Sequence, residues 1–213
     1  MRPMQGLLDF FTLMERGGPV MWPLLAVSVI ALAVSIERGW FWFNLHSARE
    51  SMRFRALLAA LRNGDRSKAE ELLRSPGGVY DQLVRRMLED GPDDATALEE
   101  IELLRGQTER FSGTLSTIVT ASPMLGILGT VTGIIHSFEL LGGNQSLIDP
   151  NDVSGGIAEA LITTAAGLII ALTALFPLMV FKAQAERALG RFEALVTAAK
   201  QGLGPTRNWS VRK

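Results

Sequence analysis

Three stretches of this chain contain no Asp, Glu, Lys or Arg, and they constrain its fold more than any other feature. They run from Gly17 to Ile36, from Phe111 to Phe138 and from Ala160 to Phe181. Each is about 20 residues or longer, enough for a helix rising about 1.5 Å per residue to cross a hydrocarbon core of about 30 Å. Surface helices of soluble proteins need a polar face, which these stretches lack. A soluble bundle would need more chain than remains to bury three such helices. The sequence therefore predicts an all-α membrane protein with three transmembrane helices and long cytoplasmic helical extensions.

Charge and periodicity divide the chain into seven predicted segments. They are an N-terminal amphipathic helix (1–16), transmembrane span 1 (17–43), a cytoplasmic helical segment (44–110), transmembrane span 2 (111–141), an outward-facing loop (142–156), transmembrane span 3 (157–181) and a cytoplasmic C-terminal helix and tail (182–213). Asp65 is a suitable N-cap for a short helix that ends at Leu73. Because no breaker separates the helix beginning near Asp94 from span 2, we predict one continuous helix from Asp94 to Leu141, kinked at Pro123. The third helix is predicted to continue past the membrane through Ala183–Ala199.

The distribution of Lys and Arg predicts the orientation of the spans. The connection between spans 2 and 3 has neither residue. Basic residues instead follow span 1 and span 3, at Arg49, Arg53, Arg55, Arg62, Lys182, Arg187, Arg191 and Lys200. Since basic loops stay in the cytoplasm, the N-terminus is predicted outside and the C-terminus inside.

Composition excludes several classes of function. The chain has no cysteine, two histidines and a formal net charge of −1. Disulfide frameworks, thiolate or histidine-rich metal sites and cysteine nucleophiles are therefore excluded. Nothing indicates a basic surface for nucleic acid. No nucleophile–base pair or phosphate-binding loop is present, so we expect no enzyme activity and no cofactor.

Small residues recur every three or four positions in spans 2 and 3. Gly126, Gly129 and Gly133 do so in span 2, and Gly167 and Ala171 in span 3. Small residues let helix backbones approach closely in membranes. We therefore predict that these residues serve helix packing and that spans 2 and 3 form an inner layer.

Four polar residues in or near these spans are candidates for an ion pathway or a partner-facing surface. They are Thr130, Glu159, Thr163 and Thr164. A carboxylate near a membrane is costly and is therefore a functional candidate. A hydroxyl can orient water or donate to a carboxylate, although each threonine could instead donate to a carbonyl of its own helix. Since no ionisable side chain lies near the middle of the spans, a partner would have to contribute the titrating group for ion transfer. His136, at the far end of span 2, is expected at the interface.

Several motifs resemble the MotA/TolQ/ExbB proton channel family. They are GGPVMWPLL (17–25) with SIERGW (35–40), GDRSKAEELLRSPGG (64–78), SPMLGILGTVTGIIHSF (122–138) and GGIAEALITTAAGL (155–168). Three spans resemble the ExbB/TolQ branch more than the four-span MotA branch. Within that branch, ITTAAGL is similar to ExbB and IIHSF to TolQ, so both remain open. By position, Thr130 matches the threonine of the family's G-T pair, Glu159 the glutamate of its A-E-A-L motif, and Thr164 the threonine five residues later.

The resemblance implies a subunit of a proton-driven motor in the bacterial inner membrane, with a periplasmic N-terminus. In this family five copies surround a dimer of an ExbD/TolR-like single-span partner, whose aspartate binds and releases protons. The energy serves outer-membrane transport or envelope work, and a TonB- or TolA-like energy transducer is a further partner that the resemblance allows. The expected partners are thus this homopentamer, those proteins and membrane lipid, without nucleic acid. The alternative is a non-conducting membrane scaffold that stabilises a single-span partner.

Overall fold

The computed structural model describes residue 14 and residues 17–45, 48–74, 80–142 and 150–204, and this part of the chain contains no β-strand. Its helices are α1 (Met21–Leu45), α2 (Ala48–Arg62), α3 (Arg66–Leu73), α4 (Tyr80–Glu89), α5 (Asp94–Thr108), α6 (Ser112–Gly142) and α7 (Pro150–Leu203). The predicted all-α class is confirmed. Of the predicted amphipathic helix at 1–16, only Met14 lies within the described residues.

Three of these helices are long and apolar enough to cross a membrane, which confirms the three predicted spans. They are α1, α6 between Ser112 and Glu139, and α7 from Val153 onward. Helix α7 continues to Leu203, as the prediction of a long third helix required. Proline lies beyond the first turn in two of them, at Pro123 in α6 and Pro177 in α7. Each proline removes the backbone N–H that would bond to the carbonyl four residues earlier.

The predicted continuous helix from Asp94 to Leu141 is wrong. Helix α5 ends at Thr108, and α6 begins only at Ser112. Between them Phe111 adopts a left-handed conformation with φ of 64°. A right-handed helix cannot pass through such a residue. Because the break is made by a bulky residue rather than by glycine or proline, sequence signals for helix ends did not reveal it.

The boundary of the predicted loop at 142–156 also differs from the structure. Helix α7 begins at Pro150, so residues 150–156 are helical. Proline favours the first turn of a helix because its fixed φ suits the helix and its missing N–H has no partner there. The charge-free stretch predicted the apolar part of this helix but not the polar turns that precede it.

Contacts divide the described residues into two compact units, the first comprising those within Met1–Glu37 and Phe111–Met179. A small apolar cluster joins the beginning of α1 to α6 and α7. Its buried members are Met14, Met21 and Leu24, and the half-buried residues packed on them are Val20, Leu25, Leu125, Ala166 and Ile170. The first span is therefore anchored to the other two at its N-terminal end.

The second unit comprises the described residues of Arg38–Arg110 and Val180–Lys213. Its core is formed by fully buried side chains of α2, α4, α5 and the later part of α7, among them Leu57, Leu61, Leu83, Met87, Leu104, Phe192 and Leu195. The Tyr80 ring packs between Phe54 and Phe192, with ring centroids 5.3 and 5.0 Å away. Asp65 caps α3 as predicted, since its carboxylate accepts a hydrogen bond of 3.0 Å from the Lys68 amide.

Candidate functional site

Three glycines of α6 lie directly against α7. A Cβ atom added to Gly126 would lie 3.0 Å from the Thr164 Cα, and one added to Gly133 would lie 3.0 Å from the Ala160 Cβ. At Gly129 the added atom would come within 2.6 Å of the Thr163 Cβ. These positions have no room for a side chain, so the two backbones approach as closely as small residues permit. We call this contact the α6–α7 seam.

Helix α7 contributes small residues to the same seam. A Cβ added to Gly167 would lie 3.1 Å from the Gly126 Cα. Ala160, Ala171 and Ala174 are buried. Gly156, which the sequence analysis did not select, is equally constrained, because a Cβ there would overlap the Ser137 hydroxyl. The signal for Gly156 is its spacing of four residues before Ala160, which continues the small-residue stripe.

Thr164 and Thr130 meet across the seam, so the structure brings these two predicted residues together. The Thr164 hydroxyl donates a hydrogen bond of 3.0 Å to the Gly126 carbonyl oxygen. Its oxygen lies 3.3 Å from the Thr130 hydroxyl oxygen. Thr130 in turn donates to the Ile127 carbonyl of its own helix at 2.6 Å. Both threonines are half-buried, so this hydroxyl pair remains within reach of the surface of the helices.

Thr163 occupies a different place from Thr164. Its side chain is 1% exposed and lies against Gly129. Its hydroxyl donates to the Ala160 carbonyl at 2.8 Å, one turn earlier in α7. In this geometry Thr163 packs the seam, and a contact with an ion or a partner would need the seam to open.

Two serines of α6 are also satisfied within the first unit. Ser122 donates to the Ile118 carbonyl at 2.7 Å, and its side chain is fully buried. Ser137 donates to the carbonyls of Gly133 at 3.0 Å and Val153 at 3.3 Å. The bond to Val153 ties the last turns of α6 to the first turns of α7.

Glu159 is half-buried and lies away from the hydroxyl pair, beside the turn that precedes α1. A Cβ added to Gly18 would overlap the Glu159 Oε1 atom. Glu159 and Thr164 are five residues apart on α7, about 140° around the helix. The structure therefore does not bring Glu159 together with Thr130 and Thr164. Gly18 was not selected from the sequence, where its only signal was the Gly17-Gly18-Pro19 run.

The chemistry available to this site is that of neutral hydrogen-bonding groups. A threonine hydroxyl has one proton to donate and two lone pairs to accept with, but it holds no charge at neutral pH. The hydroxyl pair lies in a helix pair without charged side chains from Phe111 to Phe138 and from Ala160 to Phe181. Such a site can orient a water molecule or bond a titrating group brought by another chain.

The outer surface of these helices is apolar. Exposed large side chains occur along α6 and α7, among them Ile127, Leu128, Val131, Leu161, Leu168, Ile169 and Leu172. Exposed apolar area of this extent is stable against lipid or against other membrane helices. The hydroxyl pair is thus a local polar spot on an apolar surface.

Comparison with known proteins identifies relatives of this chain. Residues 78–194 match the model of the MotA/TolQ/ExbB proton channel family. An ExbB-like biopolymer transport protein of Synechocystis sp. is 37% identical over 188 residues, covering 83% of this chain and 69% of the relative. The biopolymer transport protein ExbB1 of Vibrio cholerae is 29% identical over 189 residues, covering 85% of this chain and 82% of the relative. The Tol-Pal system protein TolQ of Pseudomonas aeruginosa is 42% identical over 78 residues, covering 37% of this chain and 33% of the relative.

Proposed function

Because the chain belongs to the MotA/TolQ/ExbB proton channel family, we propose that it is the proton-channel subunit of an ExbB/TolQ-type inner-membrane motor. In this proposal it works with an ExbD/TolR-like single-span partner and couples the proton motive force to outer-membrane transport or envelope work. A TonB- or TolA-like protein would carry the energy onward.

The observation that carries this proposal is the hydroxyl pair. Thr164 bonds the Gly126 carbonyl across the seam and lies 3.3 Å from the Thr130 hydroxyl. In apolar surroundings a hydrogen-bonded hydroxyl keeps its orientation, because the alternative is an unsatisfied polar group. Because both hydroxyl protons are donated to carbonyls, the two oxygens offer lone pairs that can accept a hydrogen bond from a protonated acid on a neighbouring helix. To bond the charged form of that acid, a hydroxyl would have to turn away from its carbonyl.

The absence of a titrating group at this place supports the proposed arrangement of subunits. Spans 2 and 3 carry hydroxyls but no central acid or base. We therefore assign the proton-binding carboxylate to the partner and place the α6–α7 layer of several copies around it. We propose five copies, as the resemblance to the family implies. We place the N-terminus in the periplasm and the C-terminus in the cytoplasm, which the Lys and Arg distribution favours.

Glu159 has a separate role in this proposal. It precedes the apolar part of α7 and is therefore assigned to the outer mouth of the ion pathway. A carboxylate there raises the local concentration of protons and can contact the partner. Each proton that crosses 100 mV supplies about 2.3 kcal/mol. A few protons per step would therefore drive a rearrangement that costs several kcal/mol.

The test is proton flux in proteoliposomes that contain this chain with its single-span partner. A potassium gradient with valinomycin sets the membrane potential, and an internal pH dye reports proton entry. We expect Thr130→Ala and Thr164→Val each to lower flux by about tenfold or more while the complex still assembles. The matched control is Thr173→Val, since the exposed Thr173 hydroxyl bonds only its own helix at the Ile169 carbonyl.

The outcomes separate the channel from the scaffold. Wild-type flux in both threonine variants would reject the assigned roles. An assembled complex without proton flux would favour the non-conducting scaffold. The hydrogen bonds of Thr130 and Thr163 to carbonyls of their own helices are the structural observation on the side of that alternative. Replacing the proton gradient by a sodium gradient identifies the ion. Native mass spectrometry of the same complex measures the copy number.

A further inference from the structure

The turn before α1 and the Glu159 side chain are in direct contact. Gly18 lies three residues before the first residue of α1 and adopts φ of +66°. A Cβ at this position would overlap Oε1 of Glu159 and would lie 3.4 Å from its Cγ. The carboxylate therefore occupies the space that any side chain at position 18 would need.

Gly18 is restricted twice, by its backbone and by this neighbour. Gly91 shows the first restriction alone, since its φ is +94° and nothing lies within 4 Å of an added Cβ. A non-glycine residue at Gly91 would incur only the cost of a left-handed backbone. At Gly18 the same change would also displace the Glu159 carboxylate.

The surroundings fix this contact in place. The Met21 amide donates to the Gly18 carbonyl at 3.1 Å, which links the turn to the first turn of α1. Met21 and Leu24, both buried, pack against α6 and α7 residues in the apolar cluster. The turn therefore cannot move away from α7 without opening that cluster.

The charge of Glu159 suits this position. The first turn of a helix carries partial positive charge from backbone N–H groups without intrahelical partners, and a carboxylate beside it is stabilised. The carboxylate thus lies near the end of α1 that carries partial positive charge. On α7, Glu159 is about 140° around the helix from Thr164.

We propose that Gly18 is a positioning residue, and that the turn at 17–20 holds the Glu159 carboxylate in the place from which it acts on ion passage. This inference rests on the proposed function, because it gives the first span a role at the ion pathway. It assigns control of the Glu159 position to α1 rather than to the α6–α7 seam.

The test compares Gly18→Ala, Gly91→Ala, Glu159→Asp and the double variant Gly18→Ala/Glu159→Asp in the complex with its partner. Proton flux in proteoliposomes is expected to fall about tenfold or more in Gly18→Ala, because small displacements of a functional group are costly. Gly91→Ala should lose less than about twofold. Aspartate is one methylene shorter and leaves room for the new methyl group. In the Glu159→Asp background, with the flux of Glu159→Asp alone as the reference, Gly18→Ala should therefore cost less than about twofold.

Each flux result decides the inference. Unchanged flux in Gly18→Ala overturns it, and so do equal losses in Gly18→Ala and Gly91→Ala. A Gly18→Ala loss in the Glu159→Asp background as large as the loss in the wild-type background also overturns it, because the loss would then not arise from displacement of the Glu159 carboxylate.

Thermal unfolding of the same complexes separates this inference from the proposed function. Wild-type complexes that do not conduct would reject the proposed function, but the contact would still be measurable. We expect Gly18→Ala to lower Tm about 3 °C more than Gly91→Ala. The excess should disappear in the Glu159→Asp background. Equal Tm losses, or an excess that persists in that background, would overturn the contact itself.

Discussion

The carboxylate of Asp81 accepts a hydrogen bond of 2.7 Å from the Arg53 guanidinium, yet burial holds the pKa of Asp81 above its ordinary value of 3.8. Removal from water disfavours the charged carboxylate and outweighs the opposing effects of Arg53 and Arg85. Asp81 and Arg53 side chains are 14% and 11% exposed. The pair therefore fixes α4 against α2 at a cost in desolvation.

This relationship predicts an unusual pH dependence for the second unit. Since the folded protein binds the Asp81 proton more tightly than the unfolded chain, the stability from this group rises as pH falls through the raised pKa towards 3.8. We expect the Tm of the wild type to rise relative to Asp81→Asn over that interval. The measurement is thermal unfolding of the detergent-solubilised protein from neutral to acid pH. A wild type that loses stability relative to Asp81→Asn would mean that the Arg53 ion pair dominates.

Replacing the half-exposed Arg86 is expected to lower Tm strongly, because Arg86 pairs with the buried Glu100. The Glu100 side chain is 1% exposed, its Oε1 accepts a hydrogen bond of 2.9 Å from Arg86, and its Oε2 has no hydrogen-bond partner in the structure. Arg86→Ala would leave a buried charge uncompensated, so we expect a Tm loss several times that of Arg105→Ala, whose partner Glu102 is exposed. Glu100→Gln in the Arg86→Ala background should recover much of the loss. Equal losses for the two arginine variants would contradict this account.

Two substitutions of Thr164 should separate the contribution of its hydroxyl group from that of its side-chain shape. Thr164→Ser keeps the donor to the Gly126 carbonyl and removes only a methyl group, so it should retain most of the proton flux. Thr164→Val keeps the shape and removes the donor, and should cost about 1 kcal/mol of stability as well as flux. Flux and Tm of both variants are measured in the same complex. A valine variant that conducts better than the serine variant would show that size, not hydrogen bonding, matters there.

Alanine substitutions at Gly129 and Gly113, both in α6, are expected to have opposite effects on stability. Gly129→Ala would place a Cβ 2.6 Å from the Thr163 Cβ, whereas nothing lies within 4 Å of a Cβ at Gly113. We expect Gly129→Ala to push α6 and α7 apart and to lower Tm and assembly. Gly113→Ala should be neutral or stabilising by about 0.5–1 kcal/mol. Size-exclusion profiles and thermal unfolding report both effects, and normal assembly of Gly129→Ala would contradict the close packing of the seam.

The predictions that succeeded from sequence rest on long patterns. Three charge-free stretches revealed the three spans, since a membrane helix must avoid charge along its whole length. The cap at Asp65 was visible because a capping side chain acts on the backbone three residues away. Neither inference needs any knowledge of tertiary contacts.

The features that sequence missed depend on particular neighbours. The left-handed backbone at Phe111 carries no glycine or proline to mark it. The sequence made Thr163 a candidate for an ion pathway or a partner-facing surface but could not reveal that its side chain lies against Gly129. Gly18 lies more than 100 residues before Glu159 in the chain, and no local signal connects them. The assignment of Thr130, Glu159, Thr163 and Thr164 to ion passage remains a prediction that the flux experiments test.

The acceptor of the Thr164 hydrogen bond is a backbone carbonyl, that of Gly126. No substitution in α6 removes this atom, because every amino acid carries the same carbonyl. In a saturation mutagenesis scan, the two partners of this hydrogen bond would therefore tolerate different kinds of residue. Position 164 would select for a hydroxyl, whereas position 126 would select only for small volume, and covariation between the two would reveal no donor–acceptor pair.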